Sequence, residues 1–159
     1  DDPGHVIVFG DRFPTETGRA KLVAADVRSP AEAPDSEFPM VLTTGRQLEH
    51  WHTGAMTRRA THLDALEPAP TAAMHPLTLR AYDIRPGDPV RITTRRGTIE
   101  LTARADEALQ EDMIFVPFAY VEAAANMLTN PQLDPVGKIP EFKYSAARIE
   151  AVTIPEAAE

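Results

Sequence analysis

The sequence predicts a mainly β protein in which many short strands, joined by two or three short helices, close into a mixed β barrel. Three observations lead there. Apolar runs of about 4 to 8 residues recur along the chain between glycines, prolines and small polar residues, which is strand punctuation. These runs do not alternate regularly with helical periods, as a doubly wound sheet would require. The 159 residues with 43% apolar content suffice for one core, so a single main domain is expected.

Residues 5–9 read as a short strand, and after the turn-prone residues 14–18 a second follows at 20–24, so a lead-in hairpin is expected. Residues 28–39 carry prolines and acids without an apolar period and read as a surface connection. The organisation is therefore a lead-in hairpin and acidic linker over 1–38, a barrel domain over 39–152 and a tail over 153–159. Residues 40–44 form a strand running into Gly45, which suits a sharp exit. Met56, Ala60, Leu63 and Leu66 have the spacing of an amphipathic helix over 56–66, ended by Pro68 and Pro70. Residues 72–75 make a brief strand, and Pro76 suits the first turn of a helix reaching about Tyr82. Alternating residues on both sides of the break at Arg95, Arg96 and Gly97 predict a hairpin of strands at 90–94 and 98–103. A strand at 113–116, an alanine-rich helix at 121–128 and a last strand at 143–152 complete the reading.

A formal charge of −8 opposes a phosphate backbone at long range, so nucleic acid is not expected as a partner. The chain has no cysteine, which removes disulfides, thiolate nucleophiles and cysteine-held iron–sulfur or zinc from its own chemistry. No apolar run reaches the length of a membrane-spanning helix, and the first residues have no signal-peptide pattern, so a soluble protein is expected, and the lack of cysteine fits a cytoplasmic one.

The densest polar and aromatic group is residues 43–59, directly after a strand, where a rigid scaffold would hold a binding loop. Thr53 and Gly54 could cap the next helix, and Arg46, Arg58 and Arg59 supply cationic donors, so the segment reads as an anion site. An extended backbone at Trp51 would point His50 and His52 the same way. Two histidines do not complete a metal site, and the plain alternative is a core tryptophan with hydrogen-bonded histidines. Arg95 and Arg96 at a hairpin tip read as solvent-facing. Asn126 reads as a cap or backbone partner, and Lys143 either faces an anion beside a stacking Phe142 or is simply exposed. There is no Walker or dinucleotide-fold phosphate loop and no nucleophile elbow. Composition and spacing alone reach an anion-binding β domain.

Residues 44–59, TGRQLEHWHTGAMTRR, resemble a segment of the molybdopterin-dinucleotide-binding domain of formate dehydrogenases and periplasmic nitrate reductases. Residues 128–135 and 138–144 and the Arg95-Arg96-Gly97 tip follow in the family's order. The likeness spans about residues 39–150, and residues 13–20 resemble the family's lead-in. It implies a double-psi six-stranded β barrel binding bis-molybdopterin guanine dinucleotide, with molybdenum or tungsten ligated outside this fragment. Arg46, Gln47, His50, His52, Thr53 and Thr57 fall on motif positions that line the dinucleotide; Phe118, Asn126, Phe142 and Lys143 fall on shorter motifs with later contacts.

The resemblance also implies an iron–sulfur cluster only in an upstream region, with the remainder of a catalytic subunit and NAD-linked redox subunits as partners. This chain lacks those upstream elements, and Ser145 stands where many relatives have cysteine, so the fragment alone should not turn over substrate. Residues 47–49, 63–68 and 128–144 look most like cytoplasmic formate dehydrogenase alpha subunits, carboxy-terminal domain. Met74, His75, Pro76 and Leu77 also resemble nitrate reductase. A stand-alone barrel acting as a protein-interaction module is the reading from another class.

Overall fold

The computed structural model describes Gly4 and residues 6–152. Six strands close into a barrel in the order β1-β5-β2-β4-β3-β6, where β1 is Met40–Gly45, β2 Thr71–Met74, β3 Pro89–Thr93, β4 Thr98–Ala105, β5 Met113–Pro117 and β6 Ser145–Ala151. Two pairs are parallel, β1 with β5 and β2 with β4, and four are antiparallel. Closure leaves no strand edge open, so the barrel satisfies its own backbone.

The sequence dictates this by alternation. Val90 and Ile92 of β3 and Ile99, Leu101 and Ala103 of β4 point inward and are buried, while Arg91 and Glu100 lie outside and pair at 2.7 Å. Leu42 on β1 and Ile114 on β5 are register partners and fill the middle with Met40, Met74, Val116 and Ile149. The mainly β six-stranded barrel expected from the sequence is thus the fold, and its strands fall within a residue or two of the expected spans. The short helix α2, Pro76–Ala81, starts at its proline, with the His75 side chain accepting from the Leu77 amide.

Four local expectations fail. Residues 6–9 and 20–24 form no strands, and His5 lies outside the described residues. The turn between them forms, with Phe13 N–H donating to Gly18 O at 3.1 Å, but Val6, Ile7, Leu22 and Val23 stay exposed and find no ladder. The expected helix at 56–66 is broken at Ala60, which is extended (φ −91°, ψ 104°), into a 3-10 turn at Thr57–Arg59 and a helix α1 at Thr61–Leu66. Neither piece buries a residue, so the apolar period there marks no core face. The alanine-rich stretch after β5 makes only one 3-10 turn, Ala125–Met127. Its small side chains serve close approach instead: Ala123 and Ala125 are buried, and a Cβ on Gly97 would sit 2.8 Å from the Met127 carbonyl oxygen. The expected tail at 153–159 also lies outside the described residues.

The linker is not a loose connection. Glu32 receives a bidentate hydrogen bond from Arg96 and one from the Ala146 amide at 2.8 Å, and Asp35 pairs with Arg95. Arg95 and Arg148 both stack on buried Phe38, at 4.6 and 5.2 Å from its ring. Of the two arginines at the hairpin tip, expected to face solvent, Arg95 does so and Arg96 is half-buried, and both anchor the lead-in to the barrel. Burial alone would raise the Glu32 carboxyl, but the Arg96 hydrogen bond, the Ala146 amide and the charges of both arginines hold it below its ordinary value.

Candidate functional site

Two loops rise from one end of the barrel: residues 46–59 after β1 and residues 118–126 after β5, brought together because β1 and β5 are parallel neighbours. A groove of about 1010 Å³ lies between them and the segment leading into β6. That is the upper end of the range of small-molecule and cofactor pockets.

The first loop turns sharply. His52 (φ 53°) and Gly54 (φ 74°) both take the left-handed conformation, and the Gly54 amide donates to Trp51 O at 2.9 Å. A Cβ on Gly54 would meet the Ala119 carbonyl oxygen at 2.6 Å and Arg58 Cγ at 2.8 Å, so glycine is required both for conformation and for space. The turn separates the two histidines. His52 lies in the groove with its ring 5.3 Å from that of Phe118. His50 is 1% exposed and faces inward, its Nε2 2.8 Å from Glu67 O and its Nδ1 3.3 Å from Thr57 Oγ1. Because a carbonyl only accepts, Nε2 carries a proton and donates to Glu67 O, while the Thr57 oxygen accepts from the Trp51 amide at 3.0 Å. The extended backbone that would align both imidazoles is absent, and among the described residues no group of side chains could hold a metal ion.

Of the ten residues expected to contact a dinucleotide, the structure brings seven to the groove: Arg46, His52, Thr53, Phe118, Asn126, Phe142 and Lys143. Gln47, His50 and Thr57 sit behind it, around a shallower depression shared with Arg46 and Trp51. Gln47 Nε2 is buried with no hydrogen-bond partner among the described residues. Thr53 does not cap the following turn; Met56 stands at its N-cap, without a side-chain bond. Trp51 is 64% exposed and not core, with the Arg46 guanidinium 6.0 Å from its ring. Lys143 Nζ donates to Thr44 O at 2.5 Å, and the Thr44 hydroxyl donates to Phe142 O at 2.7 Å, which fixes both groove residues to the end of β1.

Arg58, Arg59, Tyr120 and Glu122 also border the groove. The arginines stood out as cationic donors in the sequence, whereas Tyr120 and Glu122 had no local signal, since their roles depend on contacts across the two loops. Tyr120 OH donates to Glu67 O at 2.9 Å, and burial, then the nearby Glu67 charge, push its phenol up. Four cationic side chains thus border the groove against one carboxylate, Glu122, which Arg58 neutralises at 2.6 Å. The guanidiniums of Arg46 and Arg59 make no hydrogen bond or ion pair among the described residues.

The family described as the molydopterin dinucleotide binding domain matches residues 40–146. This chain belongs to that family. The match takes in both loops and the segment bearing Phe142 and Lys143. This dinucleotide-binding domain is 41% identical over 149 residues to the F420-dependent formate dehydrogenase subunit alpha of Methanocaldococcus jannaschii, covering 94% of this chain and 22% of that protein. It is 39% identical over 152 residues to the F420-dependent formate dehydrogenase 1 subunit alpha of Methanococcus maripaludis, covering 96% and 23%. The chain therefore spans less than a quarter of the length of these relatives. The acetylene hydratase from Pelobacter acetylenicus has a similar fold, with a TM-score of 0.67 at 20% identity over 73% of this chain and 19% of that one. No helix among the described residues is long and apolar enough to cross a membrane.

Proposed function

We propose that this domain grips the guanine dinucleotide part of a bis-molybdopterin cofactor as the carboxy-terminal domain of a formate dehydrogenase catalytic subunit. The observation that carries the reading is a groove of about 1010 Å³, within the family-matched residues, lined both by Arg46 and Arg59, whose guanidiniums make no hydrogen bond or ion pair among the described residues, and by the neighbouring rings of His52 and Phe118. That donor set fits the group: guanidinium forks match phosphate oxygens, and flat rings match a purine. Thr53, Asn126 and Lys143 add polar contacts along the same groove, with Phe142 as a further ring. His50, Thr57 and Gln47 act from behind, holding the loop.

When bound, the cofactor supplies a molybdenum or tungsten centre for formate oxidation to carbon dioxide. This chain's residues bind its tails, fix its orientation and exclude water. The metal's ligands, the iron–sulfur cluster and the partner subunits belong to the rest of the parent protein, and the fragment alone is expected to be inactive. Both relatives' names specify F420, so that acceptor is preferred here to NAD. Nitrate reduction rested on residues 74–77, but Met74 is fully buried in the barrel and none of the four borders the groove.

Titrating the chain with GDP while following Trp51 fluorescence tests the binding step. Saturable quenching, weakened about tenfold by Arg46→Ala, is expected for a phosphate contact worth roughly 1.4 kcal/mol. A flat titration would favour the protein-interaction module.

A further inference from the structure

Arg58 carries more bonds than any other cation bordering the groove. Its Nε donates to Asp64 on α1 at 3.0 Å, Nη1 donates to both Glu122 oxygens at 2.6 and 2.8 Å, and Nη2 donates to the Pro68 carbonyl at 3.3 Å. Its guanidinium carbon stacks 4.6 Å from the centroid of the Tyr120 ring. Its stem runs beside Gly54, where a Cβ would reach Cγ at 2.8 Å and Cδ at 3.1 Å. One side chain therefore joins the first loop, α1, the segment after α1 and the second loop. Its donation to Glu122, then to Asp64, holds the guanidinium's pKa above its ordinary value against the effect of burial. Arg59, the next residue, is exposed and carries none of these bonds.

We propose that Arg58 and Glu122 are positioning residues, a strut that sets the spacing of the two groove walls, and that a bound nucleotide's phosphates are held by Arg46 and Arg59 instead. This rests on reading the groove as a nucleotide site. Charge and geometry make opposite predictions for Glu122. A carboxylate beside an anion site repels the anion, so its removal should tighten binding and also free Arg58 for phosphate. As the far end of a strut, its removal releases the wall bearing Phe118 and Asn126 and weakens binding.

The experiment compares wild type with Glu122→Ala, Glu122→Gln and Arg59→Ala by GDP titration and by amide hydrogen exchange, with melting temperature as the check on folding. Glu122→Ala should bind GDP about fivefold more weakly, an effect of the size of one partly exposed charge-assisted bond. Glu122→Gln keeps an acceptor for Nη1 and should stay within about twofold of wild type. Arg59→Ala should lose about tenfold in affinity with its melting temperature unchanged. Both Glu122 variants binding as tightly as wild type, or tighter, would overturn the strut. Exchange tests it without a ligand: amides of residues 118–126 should open about tenfold faster in Glu122→Ala while the barrel strands are unaffected. Unchanged exchange there overturns the strut even if GDP fails to bind, whereas faster exchange with no GDP binding to wild type sinks only the nucleotide reading.

Discussion

The barrel and the loops above it are held by different forces. Within the barrel, Leu42, Ile92, Ile114 and Val116 are at most 1% exposed and the strands satisfy one another's backbone. In the loop after β1, Leu48, Trp51 and Met56 are more than 60% exposed, and order comes from polar side chains, His50 to Glu67 and Thr57 and Arg58 to Glu122 and Asp64, whereas the loop after β5 also buries Tyr120, Ala123 and Ala125. Apolar burial is tolerant of exact partners, so the barrel follows from a pattern. The loops depend on single bonds between residues far apart in sequence, so each is separately breakable.

Four substitutions sharpen that contrast. Ile114→Ala removes a fully buried side chain at the barrel's middle and should cost about 3 to 4 kcal/mol in chemical denaturation. It should leave GDP affinity of the folded fraction unchanged, and a large affinity loss would mean that barrel and loops are not separable. Gly54→Ala forces a Cβ against Ala119 O and Arg58 at a positive φ and should cost about 2 kcal/mol, with GDP binding lost together with it. Glu32→Gln tests the lead-in anchor and should cost about 1 kcal/mol at neutral pH, discounted for partial exposure. Since the folded Glu32 pKa lies below its unfolded value, its contribution is complete above about pH 5 and fades as pH falls through the folded pKa. Stability of wild type and Glu32→Gln measured from pH 7 down should therefore converge at the acid end, and a constant gap would refute the anchor. Trp51→Ala, at an exposed tip, should shift stability by less than about 0.5 kcal/mol.

The same contrast explains what the sequence made legible. The hairpin of β3 and β4 could be read locally because Val90, Ile92, Ile99 and Leu101 alternate within one short stretch and all four are buried. Residues 6–9 carry an equally strong apolar run, yet a strand needs a partner and none is supplied among the described residues. The helix at 56–66 failed for a related reason: its apolar spacing has nothing to pack on, and Ala60 is extended between two short turns. At the site, the cluster at residues 46–59 was visible as a loop rich in arginine, histidine and threonine. The division of labour inside it was not. His50 and His52 differ only by a left-handed turn at His52, and Arg58 and Arg59 only by which one reaches Glu122, a residue 64 positions away. Glu32's bond to Arg96 spans the same separation, and no composition rule finds it.

The order of strands around the barrel has a further consequence for the nascent chain. The first strand is flanked by the fifth and the sixth, and the sixth also completes the third, so nothing made before residue 145 can close the cylinder. Until that last segment is synthesised, two ladders hang open on a sheet rich in valine and isoleucine, a template for sticking to neighbours. Assembly of the domain is thus a late and all-at-once event. A ribosome-bound chain stopped short of the final strand should depend on chaperones in a way the finished one does not.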